Sequence, residues 1–430
     1  MKPYPNYKDS GVEWLGEVSE GWDVARIRNI CSIFGRIGFR GYTVGDIVPE
    51  GEGAISLSPS NINNQKISLE QCTFISWDKY YESPEIQVFN NDIVLVKTGS
   101  TIGKVAVVIA DHQRMTINPQ LIVLKNIKIN SFFLYYAISS RYIQACFDVE
   151  TAGGSTPAIS QEKISNFRLV APPLPEQTAI ANYLDRKTAE IDSLIANKER
   201  LIELYEEEKA AVINQAVTKG LDPDAPMKPS GIYWLGDIPE HWEVKRLKYA
   251  LDFHDSRRIP LSSEVRGKML VKEYDYYGAS GIIDQVEDYI FDGEYILLGE
   301  DGANLLTRST GLAFKAVGKF WVNNHAHILT PKEGNIDYFV NLLENIDYTI
   351  WVSGSAQPKL TAEALGNVKI VFPDPDEQTA IVRHIETQCS RLDAIIDKFK
   401  KQIELLKEYR TTLISEVVTG KIDVRDEVVQ

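Results

Sequence analysis

The side chains with an evident use in recognition chemistry sit in loops between apolar runs. In the first half these are Lys97, Thr98, Ser100 and Lys104 in VKTGSTIGK, then Arg114 and Asn118, with Ser155 and Thr156 in GGSTP. In the second half they are Lys272, Tyr276 and Tyr277 in VKEYDYYGAS, Asn304 and Arg308 in EDGANLLTR, His325 in NNHAHIL, and Gln357 with Lys359. Arg and Lys pair with guanine and Asn or Gln with adenine in the major groove, while hydroxyls and backbone amides hold phosphates. Each residue alone is a weak signal; their shared setting in loops of two matched halves gives them weight.

Catalytic chemistry leaves no comparable pattern. There is no G-x-x-x-x-G-K-[ST] loop for a nucleotide triphosphate. The glycines of FGRIGFRG (Gly35, Gly38, Gly41) do not run from a clear strand into a helix, as a dinucleotide loop requires. Asn118-Pro119-Gln120 lacks the aromatic residue of an amino-methyltransferase motif. Glu240, Glu243 and Lys245 in PEHWEVK resemble nuclease ligands, but the matching SEGWDVA has Ala25 in place of the lysine, so they read as solvated charges beside a structural tryptophan. His325 and His327 lie two apart on an expected strand, with no Cys or carboxylate at ligand spacing, so hydrogen-bonded or DNA-facing histidines are favoured over metal ligands. Glu206, Glu207 and Glu208 read as a wet helical face.

Composition narrows the setting further. The 430 residues allow two or three domains with full cores, and 44% hydrophobic with 25% charged residues is ordinary for a globular protein. No apolar run approaches a membrane span, and MKPYPNYKDSG has no apolar signal core. Cys31, Cys72, Cys146 and Cys389 show neither pairing nor ligand spacing, which points to a reducing cytoplasm. The net charge is −14, and no region is basic: residues 1–175 carry 16 basic and 17 acidic side chains, and the balances of 176–230, 231–373 and 374–430 are −4, −6 and −3. Phosphate attraction by this chain alone should therefore be weak, with a partner supplying much of the positive field.

The elements that must hold these loops come in duplicate. GVEWLGEVSEGWDVARIR at Gly11 returns as GIYWLGDIPEHWEVKRLK at Gly231, pairing Trp14 with Trp234 and Trp22 with Trp242. GGSTPAISQEKISNFRLVAPPLPEQ at Gly153 returns at Gly354, and LPEQTAIANYL at Leu174 returns as PDEQTAIVRHI. The ends of the two copies match and the middles diverge, as a fixed frame around a variable reading element would. In the middles, NDIVLVKTG, KVAVVIA and QLIVLKN, and their counterparts EYILLGED, GLAFKAV and HAHILTP, predict buried strands. FFLYYAISSRYIQACF and DYFVNLLENIDYTI predict short amphipathic helices.

The longest matched stretches are helical heptads. Leu184, Ile191, Tyr205 and Val212 form one row with Lys198, and Ile195, Ile202 and Ala216 the next with Thr188 and Lys209. The second copy has Ile385, Leu392, Phe399, Leu406 and Leu413, then Ile396, Ile403 and Val417 with Cys389 and Arg410. So narrow a stripe over four heptads predicts a coiled-coil seam. Prolines Pro172, Pro173, Pro175, Pro373 and Pro375 mark the starts, and Gly220 and Gly420 the ends. Some 40 residues make a rod of roughly 60 Å. The expected architecture is α+β: two pseudo-twofold-related domains, 1–173 and 221–373, separated by an antiparallel coiled coil of two helices, 174–220 and 374–430 with its tail.

The doubled WLG-x4-W starts, G-S-x-x-P loops and P-x-x-EQ-x-x-I helices resemble the specificity subunit of Type I restriction-modification systems over nearly the whole chain. That resemblance implies two target-recognition domains, each reading one half of a bipartite double-stranded DNA sequence, and a coiled coil that fixes the gap. It also implies a non-catalytic subunit whose helices dock two methyltransferase (modification) subunits, with restriction and translocase subunits joining that core. S-adenosylmethionine, ATP and magnesium would belong to those partners, and this chain would carry no cofactor and no metal. Glu176, Gln177, Glu377 and Gln378 carry over as helix-start frame residues. The reading from another class is a coiled-coil adaptor whose end domains bind proteins, which would have no need of divergent polar middles.

Overall fold

The computed structural model describes residues 2–13, 15–38, 41–63, 66–109, 113–151, 157–354 and 357–427. The chain divides into two compact units, Met1–Lys198 with Lys400–Gln430, and Glu199–Phe399. Each unit therefore owns the start of one long helix and the end of the other.

Those helices run Leu174–Lys219 (46 residues) and Pro375–Val418 (44 residues). At ~1.5 Å per residue the longer measures about 69 Å, more than a turn beyond the sequence expectation. Within each unit the two helices pair antiparallel. In the first, Lys198 Nζ donates to Gln402 Oε1 at 2.7 Å and Arg410 meets Asp192 at 3.0 Å. In the second, the Tyr205 and Phe399 rings stack with centroids 6.0 Å apart and Lys209 meets Asp393 at 2.7 Å. Partner numbers fall along one helix as they rise along the other, which is the antiparallel register. All fifteen apolar residues expected in the seam are buried or half-buried, and Glu206, Glu207 and Glu208 are exposed. The polar seam positions are thus answered: Lys209–Asp393 and Arg410–Asp192 are one ion pair repeated, and such pairs fix register more than they add stability.

The doubled tryptophans and Glu-Gln pairs form the clasp at each helix start. Trp22 and Trp242 are fully buried, and each indole N–H donates to a glutamate, Glu176 and Glu377 respectively, at 2.9 Å. Gln177 and Gln378 use both ends of a buried amide. Their Oε1 atoms accept the Asn130 and Asn335 backbone N–H at 2.8 and 2.9 Å, and their Nε2 atoms donate to the Pro172 and Pro373 carbonyls at 2.7 and 2.9 Å. A buried amide satisfied at both ends is a rigid brace. Asn130 and Asn335 in turn cap the helices Ser131–Ser139 and Ile336–Asn345.

Gly420 and Gly220 end the long helices in the left-handed region, at φ +75° in both cases, and pack against Trp22 and Trp242. A Cβ at position 420 would stand 3.0 Å from the Trp22 ring. Gly420→Ala should therefore cost about 1–2 kcal/mol, from the backbone strain and the ring it must displace. The check is a lowered melting temperature with the second unit's clasp intact; an unchanged one would mean the helix end is not held there.

Both units share one strand order. In the first it is Val105–Val107, Ile93–Val96, Leu121–Lys125, Ser32–Gly35, and in the second Ala313–Val322, Phe291–Gly299, Ala326–Pro331, Leu251–Phe253, all antiparallel. The additions differ. The first unit carries a separate four-stranded sheet, Met115–Ile117, Gly53–Leu57, Thr73–Ser76 and Ile47–Val48, whereas the second extends its sheet to six with Tyr274–Gly278 and Gly281–Val286. A two-stranded ribbon closes each base, Asp23–Arg26 with Arg168–Ala171 and Glu243–Arg246 with Lys369–Phe372.

The six expected strands are present, but the helices after them need correcting. FFLYYAISSRYIQACF is two helices, Ser131–Ser139 and Arg141–Thr151, broken where the Ser140 hydroxyl bonds the Ala137 carbonyl at 2.6 Å. The first of these is buried from Phe133 through Ile138 and so is not amphipathic. In the second unit the helix stops at Asn345, and Tyr348 turns back into the core with its hydroxyl on the Leu343 carbonyl.

Candidate nucleic-acid interface

At one end of the shared sheet, three loops meet in the same way in both units. In the first unit the Lys97 N–H donates to the Gln120 carbonyl at 2.9 Å, the Gly99 N–H to Pro157 at 2.9 Å, and the Ile159 N–H back to Lys97 at 3.0 Å. In the second the Glu300 N–H donates to His325 at 2.9 Å, Gly302 to Pro358 at 3.0 Å, and Leu360 back to Glu300 at 2.8 Å. Gly99 and Gly302 both have left-handed φ, +108° and +100°, which the shared turn demands. Lys97 thus stands where Glu300 stands, Thr98 where Asp301 does, and Gln120 where His325 does. The G-S-x-x-P loop is the third party to the junction in each case.

The side chains on this common backbone are different. In the first unit Lys97 and Thr98 are half-buried, and Ser100, Lys104 and Gln120 are exposed. In the second, Glu300 is buried between Arg258 at 2.5 Å and Lys359 at 3.1 Å. Burial pushes the Glu300 carboxyl up, but the Arg258 hydrogen bond and the nearby His327 and Lys359 outweigh it and leave it below the ordinary value. Asp255 behaves likewise: burial raises it, and His327 at 2.6 Å, the Ile328 N–H and Arg258 bring it down. The positive field of this pocket is internally neutralised.

Asp255, Glu300 and His327 bring potential metal-ligand atoms within 4.8 Å of one another. The lone pairs a cation would need are already engaged. His327 Nε2 donates to the Leu360 carbonyl at 2.8 Å, and both carboxylates face cationic side chains. The cluster is a buried ionic brace beneath the loop junction.

The expected site residues separate into three groups. Lys97, Thr98, Ser100, Lys104 and Asn118 belong to the loops of the first unit's junction, and His325, Gln357 and Lys359 to those of the second unit's, with Asn304 on the turn that follows Gly302. Within that group, Asn118 is buried, and its Oδ1 takes the Gln120 N–H at 2.9 Å, so it shapes the loop. Asn304 closes its own turn through Ser309 and Thr310. Lys359 is tied to Glu300, and His325 to Asp301. The second group lies elsewhere: Arg114 is exposed at the start of the separate sheet, and Lys272 pairs with Asp284 at 2.6 Å on the far hairpin. Tyr276 is fully buried under Arg266 with its hydroxyl at the Leu261 N–H. Tyr277 packs against Phe314 and Phe320, and Arg308 donates to the Glu344 carbonyl. Ser155 and Thr156 lie outside the described residues.

Gln120, Arg258, Asp301 and Glu300 belong to the junction and are absent from the sequence expectation. A signal for Gln120 existed: INPQLIVL and VNNHAHIL align Asn118 with Asn323 and Gln120 with His325. The structural match is that each Asn Oδ1 accepts the N–H two residues on, at 2.9 and 2.8 Å.

Comparison with known proteins agrees with this duplication. The family model described as Type I restriction modification DNA specificity domain matches twice, at residues 20–204 and 239–405. The chain is 24% identical over 370 residues to the Type I restriction enzyme MjaVIII specificity subunit of Methanocaldococcus jannaschii, covering 80% of this chain and 81% of that one. To the EcoKI specificity subunit of Escherichia coli K12 it is 21% identical, covering 95% and 90%. Among solved structures, a chain from work on complex assembly and conformational transition of the type I R-M system has a TM-score of 0.70 at 14% identity, covering 94% and 99%. The HsdS subunit from Thermoanaerobacter tengcongensis has a TM-score of 0.52 at 14% identity, covering 94% and 98%. With both units matched by the family model and the same clasp and loop junction built in each, this chain belongs to the Type I restriction-modification DNA specificity subunits.

Proposed function

We propose that each unit reads one half of a bipartite double-stranded DNA target through its loop junction, and that the paired long helices set the number of unread base pairs between the halves. The helices also dock two methyltransferase subunits, and restriction and translocase subunits join through that core. This chain does no chemistry of its own. S-adenosylmethionine, ATP and magnesium belong to the partner subunits, and the assembly works in the cytoplasm. Among the described residues no helix is long and apolar enough to cross a membrane. The observation that carries the reading is one backbone junction holding Lys97, Thr98 and Gln120 in one unit and Glu300, Asp301 and His325 in the other. A frame that keeps its hydrogen bonds while exchanging its side chains is what two different half-sites require. Mapping methylated bases in host DNA, with and without this gene, tests it. A bipartite motif that disappears with the gene is expected, and its persistence would refute the reading.

The charge balance gives a second expectation. With a net charge of −14 and the Arg258 and Lys359 cations of the junction neutralised by Glu300, the chain alone should bind its target at least about 100-fold more weakly than the assembled methyltransferase. Fluorescence anisotropy with one labelled duplex decides this; equal affinities would show that the partners add no phosphate contacts.

A further inference from the structure

The two equivalent positions at the junction, 120 and 325, are held by their neighbours in opposite hydrogen-bonding polarity. In the first unit the Gln120 backbone N–H donates to Asn118 Oδ1 at 2.9 Å, which fixes the orientation of the Asn118 amide. Its Nδ2 is then the donor toward Gln120 Oε1 at 3.2 Å. Gln120 is exposed and, with its oxygen engaged, offers Nε2, a donor. In the second unit Asn323 Oδ1 likewise takes the backbone N–H of His325, at 2.8 Å. The ring, however, turns to Asp301, with Nδ1 at 2.9 and 2.8 Å from its two oxygens. A carboxylate only accepts, so Nδ1 carries the hydrogen, and in the neutral ring Nε2 is left with its lone pair. The Asp301 side chain is 15% exposed and that of His325 46%, so the anchor is inside and the ring is accessible.

We propose that Gln120 and His325 are one specificity-determining position in two chemical versions: Gln120 presents a donor to a base-edge carbonyl such as guanine O6 or thymine O4, and His325 presents an acceptor to the exocyclic amine of adenine or cytosine. In the major groove these edges are distinct, so opposite polarity selects different bases. Asn118, Asn323 and Asp301 are positioning residues, acting through the side chain they orient. The inference rests on the reading that both junctions face DNA.

The test uses the full chain assembled with its methyltransferase subunits at pH 8, and a duplex pool randomised across both half-sites. Sequencing of bound DNA gives the discrimination at each base pair. Gln120→Glu keeps the oxygen that Asn118 needs and replaces the donor by an acceptor. It should switch the preference at one base pair of one half-site from an acceptor-bearing to an amine-bearing edge, a change of about 10-fold or more. His325→Ala should flatten discrimination at one base pair of the other half-site by about 10- to 100-fold, with the remaining positions unchanged. Asp301→Asn, which frees the ring to turn over, should weaken preference at that same base pair alone. Unaltered preferences in Gln120→Glu and His325→Ala, or a uniform loss of affinity across all sequences, would overturn the assignment. A wild-type assembly without any sequence preference would overturn the DNA-reading function itself, and this inference with it.

Discussion

Exchanging residues 22–171 for the matching segment of another specificity subunit is expected to replace one half of the methylated sequence and leave the other half intact. The reason lies in where the segment's ends meet. Asp23 and Ala171 face each other across the basal ribbon, so both cuts fall at one paired point. Part of what the remaining helix asks of the insert is backbone: Gln177 takes a peptide N–H at Asn130 and, just outside the exchanged segment, gives a hydrogen bond to the Pro172 carbonyl. The main side-chain demands are a tryptophan at the start, to donate to Glu176 as Trp22 does, and a tyrosine on the buried helix, to donate to Asp185 as Tyr136 does at 2.6 Å. An insert that brings both residues should therefore seat without repacking the second unit, whose clasp is built from Trp242, Glu377 and Gln378. Methylation mapping of the host DNA reads the outcome directly. A change in both half-sites would mean that recognition is not confined to one unit.

How far the sequence reveals this arrangement depends on whether a residue's neighbours are local. The long helices were legible because heptad periodicity is a property of a single segment, and every expected seam residue is withdrawn from solvent. The clasp was visible only as repetition. That Trp22 answers Glu176 across 154 residues is a tertiary fact which spacing does not encode. The recognition residues show the limit most clearly. Tyr276 and Arg308 have the composition of contact residues, yet one is under Arg266 and the other is spent on the Glu344 carbonyl. Glu300 and Asp301 carry the wrong charge for a phosphate contact, yet they sit where Lys97 and Thr98 sit and orient the groups around them. Residue type announces what a side chain can bond to, and only the fold says whether that capacity is already used.

Removing one heptad from both long helices, residues 199–205 and 397–403, should shorten the gap between half-sites and slow methylation. These segments face each other, as Lys198 with Gln402 and Tyr205 with Phe399 indicate, so the double deletion keeps the seam in phase and preserves Lys209–Asp393 and Asp192–Arg410. Seven residues span about 10 Å at ~1.5 Å each, against about 3.4 Å per base pair, so the gap should close by at most about three pairs. Rotation is the cost. A heptad changes the helix phase by only about 20°, whereas three base pairs turn the duplex by about 100°. The DNA must twist to present both half-sites, and the rate should fall accordingly. Deleting from the first helix alone is the sharper control. It forces one half of the seam a full heptad past its partner, so the two repeated ion pairs cannot both form, and assembly should fail where the double deletion survives. A full methylation rate at an unchanged gap in the double deletion would show that something other than the helices measures the distance.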